Sequence, residues 1–196
     1  MKKHSSEQLK VISMTKKFFE NPTRYVIFDS ETTGLGSKDQ IVELAAINFA
    51  GETLFNQRFH PSVAINPKAQ AVHGISIEQL ANEPTFDKHA ETWENATNGK
   101  MLIAYNIKFD ARLLTQTYAA VNRQKPSFPG ACAMDMATKY NGQVSKLVGG
   151  NHSALGDCAA TLDLFRRFLH QTSPTDIHEG VDAILNLFGI SPPPFA

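Results

Sequence analysis

The segment YVIFDSETTGLG, Tyr25 to Gly36, runs apolar and aromatic side chains directly into two carboxylates, Asp29 and Glu31, separated by one serine. A run of this kind reads as a strand buried in a sheet. Strand residues two apart share a face, so Asp29 and Glu31 project together with Ser30 opposite. Two carboxylates held at the end of an apolar strand repel each other. Unless a cation sits between them, at least one keeps its proton to a higher pH than usual. Hard oxygen ligands in a small cluster suit Mg²⁺ or Mn²⁺. The glycines of TTGLG allow tight turns that bring main chain close to a ligand. The chain holds 19 acids, and an isolated Asp-x-Glu is equally a solvated strand end. Other segments have to decide.

Periodicity supplies their setting. SSEQLKVISMTKKFFENP carries Leu9, Ile12, Met14, Phe18 and Phe19 at helix-like spacing and stops at Asn21-Pro22. Strands follow over Arg24 to Ser30, Ile41 to Ala50 and Thr53 to His60, the last two joined by a tight hairpin at Ala50-Gly51-Glu52. PSVAINPKAQAVHGIS, with its prolines and glycine, reads as an irregular connection. Thr85 to Ala96 reads as helix and Met101 to Tyr105 as a short strand; Asn106 is placed to cap a helix from Ile107 to about Val121. A short strand near Ala131 to Met134 leads through Asp135, read as a cap, into another helix. Ser153 is placed to cap a long helix to about Leu169, with Leu155, Cys158, Ala159, Leu162, Phe165 and Leu169 as its apolar stripe. After Ser173-Pro174, a last amphipathic helix carries Ile177, Val181, Ile184, Leu185 and Phe188. Strands first and then alternating strands and helices predict a mixed α/β sheet with helices on both faces. The expected organisation is a helical extension at 1–23, the main domain at 24–171, and a helix and tail at 172–196 packed on that domain.

A chain of 196 residues suffices for one such domain. Lys plus Arg equals Asp plus Glu, so the basic footprint of a protein that coats long duplex DNA is missing. Cys132 and Cys158 are too few for a disulfide framework, lack zinc-type spacing, and read as core thiols of a reducing compartment. No segment has signal-peptide character or membrane-span length, so the expectation is a cytoplasmic protein without membrane contact.

Two further segments join the Asp29–Glu31 pair. In AYNIKFDARLL, Asp110 falls about one turn into the helix after a strand, close to the sheet edge where ligands gather in α/β proteins. In NHSALGDCAAT, Asp157 lies in the opening turn of the long helix and His152 just before it. Read singly, each acid also serves as a first-turn complement to a helix dipole, and His152 as a loop residue.

Together the segments resemble the DEDDh 3′–5′ exonucleases, relatives of the proofreading subunit of bacterial replicative polymerases. FDSETTGL matches the family's Asp-x-Glu-Thr block with its glycine turn, YNIKFD its Asn-x-x-Phe-Asp block, and HSALGD its His-x-x-x-x-Asp block, in family order over Arg24 to about Leu169. AVHGIS, Ala71 to Ser76, is similar to the segment between the first two. Tyr105 departs from the pattern, where many members have His, and so does Cys158, where Ala is common. The resemblance implies an RNase H-like fold: a five-stranded mixed sheet with flanking helices.

It further implies that Asp29, Glu31, Asp110 and Asp157 hold two divalent metal ions, Mg or Mn, about 3.5–4 Å apart, with His152 as general base. Water would attack the terminal phosphodiester and release 5′-mononucleotides from nucleic-acid 3′ ends, single-stranded ones for preference and DNA favoured. Thr32, Leu35, His73, Asn106 and Phe109 would surround the terminal nucleotide. Phe109 reads equally as a stacking platform and as core, and His73 equally as a backbone-bonded loop residue. Glu43 is an outward strand residue or a partner behind the metal ligands. Trp93 reads as packed. An exoribonuclease of the same family, or a non-catalytic module that binds nucleic-acid ends or docks on a polymerase, is the alternative. Polymerase association or self-association is the partner expectation.

Overall fold

The computed structural model describes residues 4–170. The expected helix carrying Ile177 to Phe188, and the tail, lie outside the described residues.

Chain order is α1 (Ser6–Glu20), β1 (Tyr25–Thr32), β2 (Ile41–Asn48), β3 (Thr53–Arg58), α2 (Pro67–His73), α3 (Ala90–Thr97), β4 (Met101–Ala104), α4 (Ile107–Ala120), β5 (Gly130–Cys132), α5 (Ala133–Asn141) and α6 (Ala154–His170). The strands form one sheet in the order β3-β2-β1-β4-β5. β1 runs antiparallel to β2 and parallel to β4, and β4 runs parallel to β5. This is the mixed five-stranded sheet with flanking helices of RNase H-like architecture.

Both faces of the sheet are covered, which is why β2 is buried along its whole length. Ile27, Ala45, Ile47 and Ile103 pack under α1, α5 and α6 through Val11, Phe18, Met136, Cys158, Leu162 and Phe165. Val26, Phe28, Leu44, Ala46, Leu102 and Ala104 pack under α3 and α4 through Trp93, Leu113, Leu114 and Tyr118. The period-two alternation of β1 thus fixes what its end presents: Ile27, Asp29 and Glu31 to the α6 side, Val26, Phe28 and Ser30 to the α4 side.

Several local expectations are corrected. Residues 67–73 form a helix within the segment expected to be irregular. Asn66 accepts from the Lys68 N–H at 2.9 Å, Pro67 opens the helix, and Gly74 closes it at φ +73°. α1 is opened by a Ser5–Gln8 capping box and buries Val11, Thr15 and Phe18, leaving Leu9 and Met14 exposed. α6 buries Ala154, Cys158, Leu162, Phe165 and Phe168, a face rotated from the expected stripe, so Ala159 is exposed. Asn106 precedes α4 without a side-chain cap bond. Asp135 sits inside the first turn of α5, where Cys132 takes the cap position.

Candidate active site

The end of β1 carries the Asp29–Glu31 pair. Glu31 is 9 % exposed and Asp29 half-buried, and neither carboxylate accepts a hydrogen bond from any described side chain or main-chain N–H. Burial and the charge of Asp157, then of Glu43 and Asp110, push Glu31 up to about 8. Asp29 is driven well above the ordinary carboxylate range by burial first, and then by Asp110, Asp157 and Glu31.

Asp110 arrives from the opposite face. β4 ends at Ala104, α4 starts at Ile107, and the first turn delivers a carboxylate that is 3 % exposed. The Ser30 hydroxyl donates to Asp110 Oδ1 at 2.7 Å. Burial raises Asp110 to about 7 even though the Ser30 hydroxyl and nearby backbone N–H groups favour its charged form. Ser30, expected only as the residue facing away, thus locks the third acid to the strand that bears the first two.

The loop before α6 brings in the rest. Asn151 and His152 direct their backbone N–H groups to Asp157 Oδ1 at 3.0 and 3.3 Å. The wrap requires φ +56° at His152, a conformation that side-chain-bearing residues rarely adopt. It also requires Gly150, where an added Cβ would lie 2.5 Å from Asp157 Oδ1. Ser153 caps α6, its hydroxyl accepting from the Gly156 N–H at 3.2 Å. As a result Glu31, His152 and Asp157 each offer a ligand atom within 4.8 Å of the others. Asp29 and Asp110 stand outside that compact trio, yet close enough to it to be shifted by its charges.

The remaining expected residues ring this cluster. Thr32 is buried and donates to the Gly34 carbonyl at 2.9 Å. Leu35, 77 % exposed, stands on the following turn. That turn is pinned to α4 by Arg112 Nη1 and Gln116 Nε2, which donate to the Gly36 carbonyl at 3.1 and 3.0 Å. His73 follows its backbone-bonded reading: Nδ1 accepts from the Ile75 N–H at 3.0 Å, so Nε2 donates to the Thr32 carbonyl at 3.1 Å. Asn106 is exposed, whereas Phe109 is half-buried against the core with the Arg112 guanidinium 5.4 Å from its ring centre. Tyr105 donates its hydroxyl to the Ser145 carbonyl. Cys158 is fully buried beside the Ile27 and Ala45 carbonyls, where burial pushes its thiol up. Trp93 is packed, as expected. Glu43 is buried behind the trio rather than facing outward.

This donor set fits a divalent cation. Its carboxylates are crowded and buried or half-buried, and two of them take no hydrogen bond from the described protein, so only protons or a cation relieve them. The exonuclease family model (RNase T) matches residues 26–165, the stretch that contains all four acids and His152. The chain belongs to this exonuclease family. Among relatives, the uncharacterized exonuclease CP81 of Escherichia phage 186 is 30 % identical over 151 residues, 74 % of this chain and 77 % of that one. The DNA polymerase III subunit epsilon of Escherichia coli K12 is 27 % identical over 160 residues, 76 % of this chain and 65 % of that one. The epsilon subunit of Pasteurella multocida is 30 % identical over 111 residues, and the match spans 52 % of this exonuclease chain and 44 % of that subunit. The fold is shared with Exonuclease X solved in complex with 5′ overhanging duplex DNA, at a TM-score of 0.53 and 23 % identity over 76 % of this chain and 92 % of that one. It is shared also with the nuclease domain of 3′hExo, a DEDDh family member bound to rAMP, at 0.57 and 16 % over 77 % and 94 %. No described helix of this exonuclease is long and apolar enough to cross a membrane.

Proposed function

We propose that this member of the family is a metal-dependent 3′–5′ exonuclease that removes 5′-mononucleotides from DNA ends, with Asp29, Glu31, Asp110 and Asp157 holding a pair of Mg²⁺ or Mn²⁺ ions and His152 as general base. The observation that carries the reading is the convergence of Glu31, His152 and Asp157 within 4.8 Å beside the half-buried Asp29 and the buried Asp110. When bound there, divalent cations supply charge neutralisation for the phosphate, activation of water and stabilisation of the departing 3′ oxygen.

The chain's own groups supply the remainder. His152 is exposed on its loop, so its imidazole takes the proton of the attacking water and passes it to solvent. The bond formed joins water oxygen to phosphorus and the bond broken is phosphorus to 3′ oxygen, leaving a 5′-phosphate on the released nucleotide and a 3′-hydroxyl on the strand. Leu35 presents an apolar side chain to the terminal base, and Thr32, its carbonyl held by His73, borders the sugar. Phe109 and Asn106 line the approach from α4. With no net charge, the protein grips a few nucleotides at an end rather than a long duplex.

DNA is favoured because relatives that match over most of this chain are DNA polymerase subunits by name. Their longer chains extend beyond the match, and association with a polymerase is a reading that rests on that partial similarity. Digestion of 3′- and 5′-labelled strands, DNA and RNA, single and duplex, tests the proposal. Release of labelled mononucleotide from 3′-labelled DNA with Mg²⁺ or Mn²⁺ supports it. Turnover preserved in EDTA, or first products from the 5′ end, refutes it, and faster loss of RNA reassigns the substrate.

A further inference from the structure

Among the described acids near the centre, Glu43 alone has both oxygens taken. It lies on β2 directly across from Glu31 on β1 and from Arg58 on β3. It is 6 % exposed; Oε1 accepts from Arg58 Nε at 2.8 Å, and Oε2 accepts from the backbone N–H of Ala154, also at 2.8 Å. Ala154 is the first residue of α6 and is fully buried. Its N–H is one of those a helix start leaves without an intrahelical partner, and a carboxylate there also complements the helix dipole. Asp29 and Glu31 present open oxygens, whereas Glu43 presents none, so its chemistry is that of a tether rather than a ligand. The tethered atom lies two residues after His152 and three before Asp157, so the helix start that bears both is fixed to the strand beside Glu31.

We propose that Glu43 is a positioning residue: by holding the first turn of α6 to the sheet it sets His152 and Asp157 against Glu31, and Arg58 keeps its carboxylate aimed. The proposal rests on the exonuclease reading for its kinetic consequence, though not for its structural one. Outer partners of metal ligands characteristically govern metal affinity and rate.

The test compares Glu43→Gln/Arg58→Met with Glu43→Leu/Arg58→Met. Both remove the ion pair, and only the first retains an acceptor for the Ala154 N–H. Mn²⁺ affinity is read by calorimetry, kcat and KM on a short 3′-labelled strand, and folding by thermal melting. The Gln variant is expected to stay within about threefold of wild type, and the Leu variant to lose roughly 10–100-fold in Mn²⁺ affinity or kcat with KM little changed. Equal affinity and kcat in the two variants, with only the melting temperature altered, overturns the proposal. Should the Leu variant not fold, Glu43→Asp retains the charge but falls one methylene short of Ala154. A loss of about tenfold in Mn²⁺ affinity is expected there, and wild-type affinity overturns the proposal. Mn²⁺ uptake is measured without turnover, so a wild type that binds Mn²⁺ but cuts nothing defeats the exonuclease reading while leaving the role of Glu43 open to measurement.

Discussion

A half-buried carboxylate crowded by others and offered no hydrogen bond by the described residues lowers its energy by taking a proton or a cation, and Asp29 is in that position. Asp29→Ala is expected to abolish metal-dependent turnover while circular dichroism and melting stay near wild type; unchanged turnover in the purified variant would remove it from the metal site. His152→Ala is expected to lower kcat by about 10²–10⁴-fold with Mn²⁺ affinity largely retained, since proton transfer is what the imidazole adds. A wild-type kcat would take histidine out of the mechanism. Gly150→Ala places a methyl against the pinned Asp157 carboxylate. Small displacements of reacting groups are costly, so kcat should fall on the order of 10–10²-fold, checked against an unaltered far-ultraviolet spectrum. The four acids and His152 stand out in the sequence through their residue types and the family blocks that carry them, and Glu43 is named there as one of two readings, a partner behind the ligands. The contacts of Ser30 and Gly150 are not legible, because serine and glycine acquire them only from what packs beside them: Asp110 and the Asp157 carboxylate.

At the scale of elements, β1, β2 and β4 were readable because apolar runs bounded by turn residues leave little choice. α2 was hidden by two features that look like loop signals, Asn66-Pro67 and Gly74. In the structure these are its start and stop, and the seven residues between are too few to show a period. The face of α6 departs from its expected stripe for a different reason. Hydropathy places Leu155 and Leu169 on the stripe, whereas contact with both the sheet and α1 rotates Ala154, Cys158, Phe165 and Phe168 inward. That rotation turns Asp157 to the site and seats the Cys158 sulfur beside the strand carbonyls. Burial at this contact leaves little room, so Cys158→Leu is expected to lower the melting temperature by several degrees, about 1–3 kcal/mol of overpacking at ~2–4 °C per kcal/mol. An unchanged melting curve would show that the sheet and α6 are not close-packed there.

For the whole molecule, the acids tie stability to pH and to metal. In the folded chain burial pushes Glu31 up to about 8 and Asp110 up to about 7, against ordinary values of 4.5 and 3.8. Between those limits the folded chain binds more protons than the unfolded one. Stability of the metal-free protein therefore falls as pH rises from about 4 to about 8 and then levels off. Cations reverse the trend by binding the folded acids. Mn²⁺ at about one hundred times its pH 8 Kd should raise the melting temperature at pH 8 by roughly 5–10 °C, and the same concentration should raise it less near pH 6. The gain should vanish on chelation. The measurement closest to the centre of the account is Mn²⁺ uptake by wild type and by Asp29→Asn, followed through the electron paramagnetic resonance signal of the free ion at about pH 8. Saturable uptake by the wild type, weakened at least about tenfold in the variant, is the predicted result. A wild type that takes up no Mn²⁺, or a variant that takes up as much, would contradict it.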